Sequence, residues 1–381
     1  MDNSVAIAAR TLRIVIPGGS GQVGQALARH FQQLGHQVLV LTRGPYTAPW
    51  QTVHWDGKEI GPWTECLEGA DACINLTGRS VNCRYNAANR QAIYESRIRS
   101  TQLLGRVIAG LSDPPRVWMN ASAATIYPRR LDANGADLPL DEAVNEVFGE
   151  SLLGAKQAAE NLFVLKGHDF SRAAIVAKSA RALAPEGCSS PISPETSRLS
   201  ERWAERRGFA VRVARDWEAA FFAAATPRTR KVALRSAVVL SPTSGSAFGV
   251  LSNLVRLGLG GTQGNGQQFI TWIHEADYAR AVEFLISRDD LDGPFNITAP
   301  APLTNREFMA ALRWAWDVPN GLPAPSLAIR LGAILLRTEP ELVLQSCRAV
   351  PGRLMDAGFQ FQFPDWSEAA EDLVRRWKSR E

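Results

Sequence analysis

Three glycines at regular spacing give the chain its clearest signal for ligand chemistry. Gly18, Gly21 and Gly24 lie in the segment Gly18-Gly19-Ser20-Gly21-Gln22-Val23-Gly24, which follows a short apolar run and opens a helical pattern. In such a loop the first glycine permits a tight turn, the second lets the backbone approach a pyrophosphate, and the third lets helix pack on strand. The free N–H groups of the helix would face the phosphate charge. The segment predicts a dinucleotide site, and a purely structural glycine turn is the alternative.

The end of the second apolar run indicates which dinucleotide is bound. NAD enzymes place Asp or Glu there, because a carboxylate accepts a hydrogen bond from the ribose 2′-OH. Here the run ends in Thr42-Arg43, and Arg43 comes 19 residues after Gly24. A guanidinium suits a 2′-phosphate, so the sequence predicts NADP(H) in preference to NAD(H). The alternative is an arginine that is merely exposed to solvent.

Polar residues also end two further apolar runs. Asn75-Leu76-Thr77-Gly78 closes the third, where backbone usually passes under the adenosine and pyrophosphate. The fourth continues into Ser122, Thr125 and Tyr127. Ligands sit outside the carboxyl ends of parallel strands, so we expect these three hydroxyls to face the nicotinamide and substrate as catalytic candidates. The alternatives are a strand-terminal turn at the third run and, at the fourth, a polar end bonded to its own loop.

An alternation of strands and helices has to position these residues. Apolar runs at 12–16, 37–41, 72–76, 116–121 and 231–240 predict strands, and 22–34 and 86–111 predict helices. This alternation is typical of an α/β fold, here a Rossmann-type doubly wound parallel sheet with helices on both faces.

The C-terminal part is predicted to be mainly helical. A capping box, Thr304-Asn305-Arg306-Glu307, opens a helix, and a terminal helix starts at Ser367. The alternation of Phe359, Phe361 and Phe363 predicts a short strand between them. We expect a Rossmann domain over 1–242 and a substrate lobe over 243–381, with 269–299 returning to the sheet. The segment at about 149–207 has no clear place in this scheme.

Together these stretches resemble an extended short-chain dehydrogenase/reductase of the nucleotide-sugar epimerase-like branch. More narrowly, the chain is similar to a subgroup that carries its own small C-terminal domain. The matching stretches are Gly18–Gly24, Ile74–Gly78, Glu95–Ile98, Ala121–Tyr127, Arg215–Glu218, Leu234–Leu240, Leu257–Gly261, Trp272–His274 with Asp277, Asn296 with Ala299-Pro300, Thr304-Asn305 with Phe308, and Pro351–Phe359. The resemblance adds Arg97 to the predicted cofactor residues. It implies a reductase or epimerase acting on a small hydroxyl or carbonyl compound, with a nucleotide sugar as the suggested class.

One feature departs from that superfamily. Its acid/base group is a Tyr with a Lys four residues later, which lowers the pKa of the phenol. None of the five tyrosines here has Lys at that position, and on the expected helix the two positions fall on Ala210 and Ala214. Proton transfer would then use Ser122, Thr125, Tyr127 or water. A non-catalytic NADP(H)-binding sensor or scaffold is the alternative.

Other candidates have structural interpretations that we favour. Leu152, Lys156 and Glu160 repeat the four-residue frame of the missing dyad, but an inserted excursion is favoured over a degenerate duplicate. His274 is expected to be a hydrogen-bonding group between strand and helix rather than a catalytic base. Four tryptophans are expected to pack in the core: Trp314, Trp316, Trp366 and Trp377.

Composition excludes several classes of protein. Of the 381 residues 45% are hydrophobic and 21% charged, as in globular proteins, and the net charge is only +4. Basic residues occur as isolated pairs, so no nucleic-acid partner is expected. No apolar run suits a secretory signal or a bilayer span, so no membrane partner is expected either. The five cysteines form no CxxC pair, so we expect no metal site and a cytoplasmic location. A small molecule is the expected partner, and a homodimer is compatible with these observations.

Overall fold

The computed structural model describes residues 10–127, 131–132, 137–142, 194–335 and 339–380. The chain divides into two compact units, one formed by residues 1–142 and 208–381 and the other by residues 143–207. Every described strand belongs to the first unit. Leu152, Lys156 and Glu160, for which an inserted excursion is favoured over a degenerate duplicate, lie outside the described residues.

A seven-stranded parallel sheet forms the centre of the first unit. The described strands are β1 Arg13–Pro17, β2 Gln37–Thr42, β3 Gln51–His54, β4 Ala72–Asn75, β5 Val117–Ala123, β6 Arg230–Ser236, β7 Val238–Leu240, β8 Phe269–Ile270, β9 Trp272–His274, β10 Gly293–Ile297 and β11 Leu303–Thr304. The sheet order is β10-β6-β5-β4-β1-β2-β3, and every neighbouring pair is parallel. The predicted doubly wound α/β class is therefore confirmed, and the chain reverses direction of growth beside β1.

Helices cover both faces of this sheet. The described helices are α1 Gln22–Gln33, α2 Ala87–Gly110, α3 Pro194–Phe222, α4 Ala247–Arg256, α5 Glu275–Ser287, α6 Asn305–Ala315, α7 Ser326–Leu335, α8 Glu341–Leu344, α9 Gly352–Asp356 and α10 Trp366–Lys378. One face packs against α1 and α5 and the other against α2 and the end of α3, giving two apolar cores. In the described part of the chain no helix is both long and apolar enough to cross a membrane.

Two strands differ from their sequence-based prediction. The expected strand at 231–240 breaks at Ala237, so that β6 joins the main sheet whereas β7 pairs with β9. Strand β3 was not predicted, because Gln51, Thr52 and His54 are exposed and show no apolar alternation. A four-residue strand at the sheet edge needs few buried side chains, so it leaves little signal in the sequence.

The predicted strand at 359–363 is wrong. These residues form no strand, and the backbone N–H groups of Gln362 and Phe363 donate instead to the carboxylate of Asp277, at 2.8 and 2.7 Å. Asp277 is fully buried in the first turn of α5. A side chain therefore supplies the acceptors that a neighbouring strand would have given.

The C-terminal lobe has its own core, built from α4, α6, α10 and β9. The predicted capping box is present at the start of α6, where Thr304 and Glu307 bond reciprocally. Trp366 stacks on Phe308 with ring centroids 4.1 Å apart, and Trp316 and Trp377 are also buried, as predicted. The prediction for Trp314 is wrong, since this side chain is 76% exposed.

His274 connects the sheet side of the unit to the terminal helix. Its Nδ1 accepts from the backbone N–H of Ala276 at 3.1 Å, which caps α5, and its Nε2 lies 3.2 Å from Asp372 Oδ2 on α10. Since Nδ1 is an acceptor, the ring hydrogen is on Nε2 and donates to Asp372. The prediction that His274 is a hydrogen-bonding group is confirmed.

Candidate functional site

The glycines of the loop between β1 and α1 differ in the space around their Cα atoms. Gly18 has a φ of +77°, and a Cβ on it would lie 2.9 Å from the backbone N of Thr77. A Cβ on Gly24 would lie 2.4 Å from the Cα of Gly19, and one on Gly19 would lie 2.8 Å from Val40. Packing alone therefore requires these three residues. Gly21 is exposed, and a Cβ there would meet only a carbonyl oxygen at 3.6 Å, so the space above it is open.

Helix α1 begins directly behind this open space. Its N-cap, Gly21, supplies no side-chain cap, and the first turn contains no acidic residue. The first backbone N–H groups of a helix lack intrahelical acceptors and carry a partial positive charge. The Gln22 side chain turns away to donate to the carbonyl of Val239, and Val23 packs on the core. The loop and helix terminus thus form a cradle that suits a pyrophosphate.

The end of β2 lies beside the same loop. The Thr42 hydroxyl donates to Ser20 Oγ at 3.3 Å. Arg43 follows it and is exposed, and within the described residues its guanidinium forms no hydrogen bond or ion pair. A guanidinium without an internal counter-charge at this position can meet an anionic group on the ribose.

The end of β4 forms the opposite wall of the cradle. The backbone N–H of Leu76 donates a hydrogen bond to β1. A Cβ added to Gly18 would lie 3.0 Å from the carbonyl carbon of Leu76. Asn75 is buried; its Oδ1 accepts from the N–H of Thr77 and its Nδ2 donates to Asn120 Oδ1 at 2.7 Å. The Thr77 hydroxyl is buried and has no hydrogen-bond partner among the residues that the structure describes. An orphaned hydroxyl in a wall of the cradle fits a ligand that would complete its hydrogen bonding.

Arg97 supports this wall from the side of α2. Its guanidinium lies against Gly78, since a Cβ added to Gly78 would be 3.1 Å from the arginine Cζ. The same Cζ lies 5.1 Å from the ring centroid of Trp217. Its Nη1 donates to the carbonyls of Arg79 and Ile93. Burial lowers the pKa of Arg97 to about 10. Among the predicted cofactor residues, Arg97 thus fixes the turn at Gly78 and brings a positive charge close to it.

Two of the three predicted catalytic hydroxyls are buried in a polar network at the end of β5. Ser122 Oγ donates to Glu218 Oε1 at 2.6 Å. Tyr127 Oη donates to Asn296 Oδ1 at 2.8 Å and accepts from Arg235 Nη1 at 3.0 Å. Burial raises the pKa of Tyr127 to about 12. The structure therefore brings Ser122 and Tyr127 together through side chains from three other elements.

An ion pair between α3 and β6 is the centre of this network. Both carboxylate oxygens of Glu218 accept from Arg235, from Nε and Nη2, at 2.8 Å each. Arg235 is 3% and Glu218 7% exposed. The hydrogen bonds and charge of Glu218 raise the pKa of Arg235 despite its burial. Neither residue is predicted from the sequence to have a role, although an arginine inside the apolar run 231–240 is a signal, because a buried charge needs a partner.

The third hydroxyl, that of Thr125, has a different environment. Thr125 lies in the helical turn Ala124–Ile126 directly after β5 and is half-buried. It forms no hydrogen bond with any described residue. On α3, Ala210 is partly exposed and Ala214 is buried. Because alanine has no titratable side chain, neither position provides an acid or a base. Among the described residues, the Thr125 hydroxyl at the end of β5 thus has no hydrogen-bond partner, and this part of the chain holds no tyrosine–lysine pair.

Comparisons with known proteins agree with this geometry. Residues 14–162 match the model of the NAD dependent epimerase/dehydratase family, and residues 324–373 match a domain of unknown function, DUF1731. Epimerase family protein ML0860 of Mycobacterium leprae is 29% identical over 374 residues, covering 98% of this chain and 99% of its own. Epimerase family protein SDR39U1 of Bos taurus is 28% identical over 370 residues, covering 95% and 100%.

Solved structures of epimerase family proteins and epimerases are also similar to this chain. The crystal structure of human epimerase family protein SDR39U1 (isoform 2) with NADPH superposes with a TM-score of 0.69 at 25% identity, covering 96% of this chain and 99% of that one. The UDP-N-acetylglucosamine 4-epimerase from Bacillus cereus has a TM-score of 0.62 at 14% identity, covering 97% and 100%. The second likeness is one of fold alone.

Proposed function

Because the chain is a member of the extended short-chain dehydrogenase/reductase superfamily, with an epimerase/dehydratase domain and a DUF1731 domain, we propose that it is an NADP(H)-dependent enzyme. Its reaction is reduction or epimerisation of a small hydroxyl or carbonyl compound. The observation that carries this proposal is the cradle at Gly21, where an open loop meets an uncapped helix terminus. The SDR39U1 structure, which contains NADPH, supports the choice of cofactor.

The residues that would hold NADP(H) fall into three groups. The glycine loop and the first turn of α1 face the pyrophosphate, Arg43 faces the 2′-phosphate, and the end of β4 faces the adenosine side. The full set is Gly18, Gly19, Ser20, Gly21, Gln22, Val23, Gly24, Thr42, Arg43, Asn75, Leu76, Thr77, Gly78 and Arg97. When bound, the nicotinamide would supply or accept hydride. Ser122, Thr125 and Tyr127 are the proposed residues for orienting the substrate oxygen and for proton transfer.

A nucleotide sugar is the substrate class that we propose first, because a neighbour of the same fold is a UDP-N-acetylglucosamine 4-epimerase. An absorbance assay of NADPH consumption over carbonyl compounds, and of NADP+ reduction over nucleotide sugars, tests the proposal. Turnover of a member of either panel supports it. Tight NADPH binding without turnover of any compound contradicts the enzymatic part.

A non-catalytic NADP(H)-binding sensor is the second candidate. Ala210 and Ala214 favour it, since the helix that should carry the acid/base pair has no ionisable group at those positions. A sensor would still respond to cofactor, so limited proteolysis that differs between the NADPH-bound and free protein, together with absent turnover, would favour this function. Measurable kcat with any substrate excludes it.

A further inference from the structure

We propose that a cavity at the amino ends of β1, β2 and β3 binds a small zwitterion with a flat apolar body, such as an aromatic α-amino acid. The cavity lies at the end of the sheet opposite to the cofactor cradle, and its wall contains two opposite charges, those of Arg13 and Glu65. This site would be separate from the one proposed for NADP(H), so neither assignment depends on the other.

The cavity is large enough for a small organic molecule. Its volume is about 750 Å³, and small-molecule sites typically have roughly 300–1,000 Å³. It is bounded by the first residues of the three strands, by the last turn of α1 and by the short helix Pro62–Leu67. Strand β1 advances about 3.3 Å per residue, so its length of about 13 Å separates the cavity from the glycine loop. The residues that line the cavity include Arg13, His36, Val38, Trp50, Glu65 and Cys66.

Arg13 gives the cavity a positive charge. It is half-buried, and its Nη1 donates to the carbonyl of Glu68 at 2.5 Å, but it forms no ion pair within the described residues. Its other N–H groups can bind a carboxylate. His36 lies beside it, because Nδ1 of His36 accepts from the backbone N–H of Leu12 at 3.3 Å. The ring hydrogen is therefore on Nε2, which makes His36 a second donor in this wall.

Glu65 gives the same cavity a negative charge. It is exposed on the helix Pro62–Leu67, and its carboxylate has no hydrogen bond or ion pair with any residue that the structure describes. Burial raises the pKa of the Cys66 thiol, while the charge of Arg13 lowers it and the charge of Glu65 raises it. The two charges thus lie near one side chain without neutralising each other. A ligand with both a carboxylate and an ammonium group would complement them.

The apolar part of the wall suits a flat ring. Val38, Trp50 and Pro62 all line the cavity. Trp50 is 8% exposed, and its ring centroid lies 6.4 Å from that of Tyr46, so the indole is held in place by packing. Aromatic side chains pair favourably with other aromatic rings. The indole N–H of Trp50 has no hydrogen-bond partner among the described residues, which makes it a sensitive reporter of a ligand.

The first experiment uses three compounds that share one ring. Calorimetric titration of the full-length protein compares L-phenylalanine, which has both charges, with 3-phenylpropanoate, which lacks the ammonium group, and with 2-phenylethylamine, which lacks the carboxylate. L-Phenylalanine should bind most tightly, because it alone meets both charges of the cavity. Absence of saturable binding of L-phenylalanine, or equal affinity for all three compounds, would overturn the proposal.

Two variants assign the charges of the ligand to the residues. Arg13→Gln should weaken binding of L-phenylalanine and 3-phenylpropanoate about 10- to 100-fold and leave that of 2-phenylethylamine nearly unchanged. Glu65→Gln should weaken binding of L-phenylalanine and 2-phenylethylamine about 2- to 5-fold, since an exposed ion pair contributes less, and spare 3-phenylpropanoate. Arg106→Gln, which removes an exposed arginine of α2 outside the cavity, is the control and should change none of the three Kd values. Equal effects of either cavity variant on all three compounds contradict the assignment.

The last experiment locates the bound compound. The indole N–H resonance of Trp50, identified by its loss in Trp50→Phe, should shift when L-phenylalanine is added. Saturating NADPH should leave the Kd for L-phenylalanine nearly unchanged, because the cradle lies at the other end of the strands. An unmoved Trp50 resonance, or competition between L-phenylalanine and NADPH, would place the compound elsewhere and show that the cavity is not its site.

Discussion

In the cofactor cradle, some residues are required by packing and others are exposed where a ligand would bind. Gly18, Gly19 and Gly24 are enclosed by neighbouring atoms, whereas the space above Gly21 is open, and Arg43 is exposed and forms no hydrogen bond or ion pair within the described residues. Substitutions at the first group should act on stability, and substitutions at the second should act on binding. Two predictions use this difference.

Arg43→Ala should weaken NADPH binding about 10- to 100-fold and leave NADH binding nearly unchanged. A hydrogen bond to a charged group contributes roughly 1.5–3 kcal/mol, and NADH lacks the 2′-phosphate that would receive it. Calorimetric titration of both cofactors checks this. Equal losses for the two would show that Arg43 does not meet the 2′-phosphate.

Gly21→Val should abolish binding of both cofactors while the protein remains folded. The Cβ at Gly21 meets only one carbonyl oxygen at 3.6 Å, so the branched side chain occupies the space meant for the pyrophosphate. Thermal melts should stay cooperative but lose the upward shift that NADPH gives the parent. The control is Gly24→Ala, which overpacks against Gly19 and should cost about 1–3 kcal/mol of stability. An unchanged NADPH shift in Gly21→Val would place the phosphate site elsewhere.

Between elements, the ion pair of Glu218 and Arg235 joins α3 to β6 inside the protein. Taking two charges out of water is costly, and their mutual attraction repays it only while both partners are present. Glu218 also accepts a hydrogen bond from Ser122 on β5, and Arg235 donates one to Tyr127. The elements β5, β6 and α3 therefore share one polar network. Removing one charge should therefore cost more than removing both.

Arg235→Leu should lower the free energy of unfolding by about 3–5 kcal/mol, because it leaves the Glu218 carboxylate buried without its counter-ion. The double variant Glu218→Leu with Arg235→Leu should be more stable than Arg235→Leu alone. Urea denaturation of the parent, both single variants and the double variant closes the cycle. Additive losses would mean that the two charges do not stabilise each other.

The secondary-structure elements and their contacts show how much of the fold could be predicted from the sequence alone. Buried strands and amphipathic helices were predictable because their apolar spacing is local, and the glycine loop was predictable because its geometry allows few residue types. The break at Ala237 and the bonds from Asp277 to Gln362 and Phe363 were not, since they depend on partners far along the chain. The Glu218–Arg235 pair was hidden for the same reason. At the site, sequence located the three hydroxyls but not which of their hydrogens are already in use.

Across the whole unit, His274 links the N-terminus of α5 to the terminal helix α10. Its ring is fully buried and lies against Phe363, with ring centroids 4.0 Å apart. Asp372 receives its Nε2 hydrogen, and Arg376 from α10 pairs with both Asp372 and Glu275. The C-terminal domain is thus tied to the Rossmann sheet by a neutral histidine whose two nitrogens are both occupied.

Stability should fall as pH drops from about 7 to about 5, in part because of His274. Burial, then the charge of Arg376, lowers the pKa of His274 below its usual value, so the unfolded chain binds the proton first. The stability contributed by neutral His274 is present above the unfolded pKa and is lost as pH falls through the folded pKa. Protonation would also place a hydrogen on Nδ1, where the Ala276 N–H now donates.

Melting temperatures of His274→Asn across this pH range test the prediction. Asparagine can cap the helix but does not titrate, so the variant should show a shallower decline with acid than the parent. His54→Asn, on the exposed edge strand β3, is the matched control and should keep the parent's slope. Identical slopes for all three proteins would exclude His274 as a source of acid sensitivity.

Strand β3 has a consequence for how copies of the protein behave in concentrated solution. It ends one side of the seven-stranded sheet, spans four residues and presents Gln51, Thr52 and His54 to water. An open sheet edge can recruit the strand of another molecule, and short polar edge strands discourage such pairing. The weak, hydrophilic strand that the sequence did not reveal therefore protects the sheet against edge-to-edge aggregation.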